Sequence, residues 1–515
     1  MRVLSFQRTF VIAALLVGGW AASPAAAAPK EIFAGADDKW RRYESPHFEL
    51  FSHVDDADSR AVLHQLELLR SFFLDSNRLS ERQPVPVSVY AFATQKEFDA
   101  YKPANFGNAA GLYLSRPDRA VILLAPSRQD EAARRIVFHE YIHHLVRVSG
   151  MTPPTWLNEG LAELFSTIEL RGDKMVFGAP VPYHVYRLQN SEFIPLASLF
   201  SAAPAEVHTG SDSHSGRFYA QAWAVLHYWY FGATRTPREK IHPLLSRLLS
   251  ARTPPTHDQM ARWLLEATGE TYTQLQQQLV DYVRHGKYGT RALPLPKIAG
   301  KETYQARPMA RAEARERLAE LAFRMRRDPH GHLAMLEAAK TGDTIRALET
   351  LGTDALLDSN DHLAQERWEA ATAAGSKNPA IYHELGVQES RRWFAQFDLY
   401  FRLPEERAKK LRGLLQRSIA YAPDQAEAYE MLAWVEATAP QPDIANVNLV
   451  QSRFDTLNQK VRTIVALAFV RVRTADYAGA TKLLDAIDQT EAELAACEAV
   501  KAMRRFIEAK TAAGN

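Results

Sequence analysis

The chain has 515 residues, more than one compact core usually accommodates, so two or three domains are expected. Apolar residues make up 46% and charged residues 24%, the ordinary composition of a globular protein. The formal charge is +2, and Arg2 and Arg8 both fall in the first ten residues; the near-neutral remainder argues against a nucleic-acid partner, which requires a concentrated basic surface.

Arg2 and Arg8 precede an apolar run from Phe10 to Ala22 and a small-residue stretch, Ala25 to Ala28. This layout predicts a signal peptide over residues 1–27, cleaved after Ala27 at an A-x-A site, and a periplasmic or secreted protein with no stable membrane span after cleavage. The alternative is an uncleaved N-terminal anchor, although the run is short of the roughly 20 residues that span a bilayer. Cys497 is the single cysteine, so no intrachain disulfide can form. Its Ala-rich helical setting reads as a small core residue.

Phe48 to His53 alternates as a strand does. Residues 57–73 carry an apolar helical face with Leu63, Leu66, Leu68 and Leu69, and Val85 to Phe92 reads as a second strand. Leu112–Leu114 and Ala120–Ala125, separated by a Pro-containing turn, predict a hairpin. A helix follows over about 130–148, with Asp130 and Glu131 at the dipole-favoured end and Gly150 and Pro153-Pro154 closing it. A second runs over about 155–170, ahead of a Gly172-Asp173 turn. Further helices are expected at 218–230, 237–250, 258–267 and 272–285, before Leu293-Pro294-Leu295-Pro296 breaks the pattern as a linker over 293–304.

From residue 305 to 515 the pattern is helical. Asn378-Pro379-Ala380-Ile381-Tyr382 with Leu385-Gly386 is similar to Ala422-Pro423 through Tyr429 with Leu432-Ala433, and Asp476-Tyr477-Ala478-Gly479-Ala480 opens another helix. This resembles tetratricopeptide repeats, which implies stacked helix pairs offering a surface to a protein partner. An irregular helical bundle is the other reading.

His139-Glu140-Tyr141-Ile142-His143 is an H-E-x-x-H motif. At 3.6 residues per turn the two histidines stand about 40° apart on one face, where both imidazoles can reach one Zn²⁺ at about 2.0–2.1 Å. Ile136, Val137, Phe138, Ile142, Leu145 and Val146 make the helix apolar and hence buried. A buried helix bearing two His and a Glu is costly unless those groups are paired or ligated. His144 is turned about 100° from His143 and reads as structural or exposed.

Downstream lies Trp156-Leu157-Asn158-Glu159-Gly160-Leu161-Ala162-Glu163. With H-E-x-x-H it resembles the W-L-N-E-G segment of gluzincin zinc metallopeptidases, over roughly residues 45–290. The resemblance implies His139, His143 and Glu159 as zinc ligands, Glu140 as general base and Glu163 as the carboxylate that orients a ligand histidine. Tyr219-Ala220-Gln221-Ala222-Trp223 is similar to the segment in which gluzincins present a tyrosine to the scissile carbonyl, so Tyr219 is either an oxyanion donor or a buried packing residue. His208 and His214 lie in a Gly/Ser/Asp-rich stretch read as a solvent loop or a lid.

The implied fold class is α+β: a gluzincin-like domain over 28–292, with a small mixed sheet, active-site helices and a helical lobe, then an all-α repeat domain. The implied activity is peptide hydrolysis by a zinc-activated water. The Gly-x-Met-Glu-Asn strand of the aminopeptidases is absent, which favours an endopeptidase. Ala120–Ala125 can pair with an extended peptide if it is a sheet edge, or lie buried within the sheet. Two other functions fit the same residues: a non-catalytic scaffold whose helical repeats bind a protein, and a zinc amidohydrolase acting on peptidoglycan.

Overall fold

The computed structural model describes residues 39–512 except 78, 80, 82–83, 104–110, 127–130, 209–211, 233–237, 251–253, 392–398, 455–460 and 489–497. The leader, Asp130 and Cys497 lie outside the described residues, as do the side chains of Glu131, His208 and His214. Among the described residues no helix is long and apolar enough to cross a membrane.

The fold is mixed α/β, mostly helical with a small mixed sheet. The strands are β1 (Arg41–Glu44), β2 (Phe48–Ser52), β3 (Val87–Ala91), β4 (Gly111–Ser115), β5 (Ala120–Leu124), β6 (Glu169–Arg171), β7 (Lys174–Phe177), β8 (Arg291–Pro294) and β9 (Gln305–Pro308). Six form one sheet in the order β4-β5-β3-β2-β1-β9, and β6-β7-β8 form a second. In the larger sheet β2–β3 and β3–β5 are parallel and the other pairs antiparallel. The predicted hairpin is β4–β5, with Leu114 opposite Val121. Ala120–Ala125, weighed as an edge, forms the interior strand β5. The edge is β4.

The first half carries α1 (Asp56–Asn77), α2 (Gln95–Tyr101), α3 (Glu131–Val148), α4 (Thr155–Phe165), α5 (Pro182–Gln189), α6 (Leu196–Ser201), α7 (Pro204–His208), α8 (Asp212–Phe231), α9 (Arg238–Ser250), α10 (His257–Thr268) and α11 (Tyr272–His285). Thr256 and Thr271 each accept from the backbone N–H three residues on, and Gln259 and Gln274 reach back, so T-x-x-Q starts both α10 and α11. The helix expected over 155–170 ends at Phe165. There the Ser166 hydroxyl donates to the Glu163 carbonyl and Thr167 to the Leu164 carbonyl, and the chain turns into β6. Ser and Thr bond locally to the backbone in this way and so compete with helix continuation. The helix read from 218 starts six residues earlier, placing His214 in its first turns; His208 ends α7.

Alternation splits the larger sheet into two buried faces. Phe48, Leu50, Val87, Val89, Ala120 and Ile122 point to the core shared with α1, α3 and α4. Phe51, Tyr90, Val121 and Leu123 point the other way, onto Phe98 and Tyr101 of α2 and Leu318, Leu321 and Ala322 of the first later helix. Coverage on both sides explains why every β3 residue is buried.

The later helices are α12 (Arg311–Arg326), α13 (Pro329–Thr341), α14 (Thr344–Leu357), α15 (Asp361–Ala373), α16 (Pro379–Arg391), α17 (Glu405–Tyr421), α18 (Ala426–Thr438), α19 (Ile444–Arg453), α20 (Val461–Arg473), α21 (Tyr477–Asp488) and α22 (Glu498–Ala512). From α12 to α19 each packs on the next in sequence order, and α20 rests on both α18 and α21. Tyr382 and Tyr429, matched in the two similar segments, each donate to the carbonyl six residues earlier. The stretch 293–304 carries the chain from β8 in the small sheet to β9 beside β1 in the large one.

The helices after β9 also close the sheet with charge. Glu49 of β2 contacts Arg346 of α14 and Arg119, and Asp118 pairs with Arg324 of α12. Glu320, fully buried, contacts Arg317, Arg324 and Arg346. Each buried carboxylate in this network is matched by guanidinium groups, the condition under which burial of charge is tolerable.

Candidate metal centre

The α3 helix has two faces. Phe138, Tyr141, Ile142 and Leu145 enter the sheet core, while His139 and His143 turn toward α4. His144 is buried against the core: its ring stacks on Tyr141 and its Nδ1 lies 2.7 Å from the Tyr113 hydroxyl. Its role is structural, fixing edge strand β4 to the motif helix.

The α4 helix supplies Glu159 and, one turn later, Glu163. Nε2 of His139 and Nε2 of His143 are 3.0 Å apart, and Glu159 Oε2 is 3.3 Å from the first and 3.2 Å from the second. Two donors bound tetrahedrally at about 2.0–2.1 Å stand about 3.3 Å apart, so the triangle has nearly the edge lengths one cation requires. The donor set, two imidazoles and a carboxylate, is the borderline-soft mixture zinc accepts. All three side chains are at most 15% exposed. Two imidazolium rings could not share so short a contact without strong repulsion, whereas a common cation draws both lone pairs inward. His139, His143 and Glu159 can therefore hold a metal ion.

The charges reinforce one another. Burial opposes protonation of His139, but Glu159, Glu163 and Glu140 outweigh it and raise the imidazole to about 9. His143 is raised as well, against burial, chiefly by Glu159. Burial would raise the Glu159 carboxyl; His143 and His139 instead hold it far below the usual range. This is an anionic pocket that binds positive charge, whether protons or a metal, in competition.

Glu140, next to His139 on α3, acts by its charge on both histidines and on Tyr219 and so lies within electrostatic reach of the pocket. Tyr219 reaches it from α8, its ring 6.2 Å from that of His139. Burial first, then Glu159, Glu140 and Glu163, push its hydroxyl well above the ordinary value, so it stays a donor across the accessible pH range. The approach of α8 to α4 depends on Gly160. A Cβ there would lie 2.8 Å from the Ala222 carbonyl oxygen and 3.0 Å from Leu226 Cδ1. The glycine after Glu159 is thus a packing requirement that brings α8, with Tyr219, against the ligand helix.

Glu163 stands behind His139, with Oε1 3.4 Å from Nδ1. Its other oxygen is 3.2 Å from Arg135 Nη2 and 2.9 Å from His184 Nε2. Burial raises the carboxyl, but His184, His139 and Arg135 lower it to about 2. Neither Arg135 nor His184 stands out in the sequence. Arg135 had a usable signal, four residues before His139 on the same helix face. His184 had none, because its place depends on how α5 meets α4.

No protein-family model and no curated protein matches this chain.

The structure thus brings together His139, His143, Glu159, Glu163 and Tyr219, with Glu140 within electrostatic reach of them. Chemically the pocket offers three donor atoms for a cation, a further carboxylate able to take a proton and a neutral hydroxyl able to donate a hydrogen bond.

Proposed function

We propose that the chain is an exported zinc metallopeptidase of gluzincin type, an endopeptidase with its metal on His139, His143 and Glu159. The observation that carries this is the triangle of 3.0, 3.2 and 3.3 Å between three donor atoms, drawn from two helices. Bound there, zinc supplies Lewis acidity, acidifying a water and polarising a carbonyl. Glu140 accepts the proton of the attacking water on its carboxylate and passes it to the departing amine nitrogen. The Tyr219 hydroxyl donates to the oxygen that gains charge as the carbonyl becomes tetrahedral. Glu163 keeps His139 in the tautomer with its proton on Nδ1, leaving Nε2 free to ligate.

The edge strand β4, tied to α3 through Tyr113 and His144, suits an extended peptide that adds to the sheet beside the pocket. The series of helices after α12, with its equivalent Tyr382 and Tyr429 bonds, supports reading the second half as tetratricopeptide-like repeats serving a protein partner. The leader supports export.

The test is Glu140→Gln. Hydrolysis of a casein-like substrate should fall by roughly 10²–10⁴ while zinc remains bound. Equal cleavage by wild type and Glu140→Gln would refute the enzyme reading. Cleavage of cell-wall fragments in place of peptides would redirect it to a peptidoglycan amidase.

A further inference from the structure

Glu163 is held from three sides, and only one of them is a metal ligand. Oε1 faces His139 Nδ1, while Oε2 meets Arg135 and His184. These two partners come from different elements. Arg135 sits on α3, one turn before His139. His184 sits on α5, is itself buried, and packs its ring against Trp223 of α8 at 5.9 Å between centroids. Trp223 is one turn beyond Tyr219. His184 thus fills the junction between the ligand helix α4 and the tyrosine helix α8.

Resting on the reading of His139, His143 and Glu159 as a zinc site, we propose that Arg135 and His184 are positioning residues that lock Glu163 onto His139. A free glutamate has three rotatable torsions and can turn either oxygen to either partner. With Oε2 held against a guanidinium and an imidazole, Oε1 is left facing Nδ1 of His139 at 3.4 Å. The carboxylate at that position favours a proton on Nδ1, which leaves the lone pair on Nε2, and it fixes the ring plane relative to His143. Arg135 and His184 touch neither the metal nor the reacting atoms; they act through Glu163. Because His184 also bears on Trp223, a shift of α5 loosens the ligand and moves the tyrosine helix together.

The experiment is chelator competition for Zn²⁺ on the full chain, in wild type and in His184→Ala, Arg135→Ala and His184→Gln, with folding checked by circular dichroism. Each alanine variant should weaken zinc affinity about 10- to 100-fold. Visible bands of the Co²⁺-substituted protein should shift, because ligand orientation has changed. His184→Gln, which can place an N–H near the same oxygen, should recover most of the affinity. If His184→Ala does not fold, Arg135→Ala carries the test alone, since the Arg135 side chain is 20% exposed against 9% for His184. Alanine variants within twofold of wild type, with unchanged Co²⁺ spectra, would overturn the relay while leaving the zinc site standing. A wild-type protein that takes up no metal would overturn both.

Discussion

Gly160→Ala should destabilise the protein, against the usual sense of that substitution. Replacing a helical glycine with alanine ordinarily stabilises by up to about 1 kcal/mol, because the backbone loses less entropy on folding. At Gly160 the new Cβ would stand 2.8 Å from a backbone oxygen, Ala222 O, which has no rotamer to escape into. Ordinary contact needs about 3.4 Å, so α4 and α8 must separate by about half an ångström. Overpacking of this kind costs about 1–3 kcal/mol, which against a gain of about 1 kcal/mol leaves a net loss of up to about 2 kcal/mol. Gly413 supplies the control. It is an exposed helical position in α17 with nothing within 4 Å of an added Cβ, so Gly413→Ala should stabilise by up to about 1 kcal/mol. Urea denaturation should move the two midpoints in opposite directions. The same displacement carries Tyr219 with α8, and under the proposed function hydrolysis should fall more than the stability loss alone predicts, since small misplacements of a group that meets the reacting atoms are costly. Midpoints that shift the same way in both variants would refute the close-packing explanation of the glycine.

Tyr219→Phe should retain zinc and lower kcat by about 10²–10³ with little change in KM, the effect of removing one oxyanion donor; an unchanged kcat would return Tyr219 to a packing role. The buried network behind the sheet predicts acid lability. Burial raises the Glu49 carboxyl, but Arg346, Arg119 and Ser88 bring it to about 2, from 4.5 for the free side chain. A depressed carboxylate contributes stability that is complete above about pH 4.5 and is lost as pH falls toward 2, here on the order of 3 kcal/mol. Thermal midpoints between pH 7 and pH 3 should therefore fall less in Glu49→Gln than in wild type, even though the variant starts lower; parallel slopes would contradict this.

The metal pocket was legible because its information is local. The i,i+4 spacing of His139 and His143 fixes a common helix face, and the apolar residues between them fix which side is buried. The meaning of Gly160 was half visible: the segment could be recognised, but its cause, the crossing with Ala222, belongs to tertiary structure. Short charged strands escaped notice. Arg41–Glu44 and Gln305–Pro308 have no apolar alternation and are strands only because β2 and β1 lie beside them. The overshoot of the helix past Phe165 came from reading periodicity without weighing the two hydroxyl residues that follow. The charged network of Glu49, Arg119, Glu320, Arg324 and Arg346 was invisible for a different reason. Its members are scattered over some 300 positions, and single charged residues in sequence look like surface. For the same reason the first later helices looked like a separate module, although α12 and α14 cover one face of the sheet.

Convergence of His139, His143 and Glu159 on one cation is tested most directly by metal analysis of the purified protein after chelation and reconstitution. One equivalent of zinc should bind wild type and be lost, or held far more weakly, in Glu159→Ala. Wild type free of zinc, or Glu159→Ala retaining a full equivalent at wild-type affinity, would contradict it.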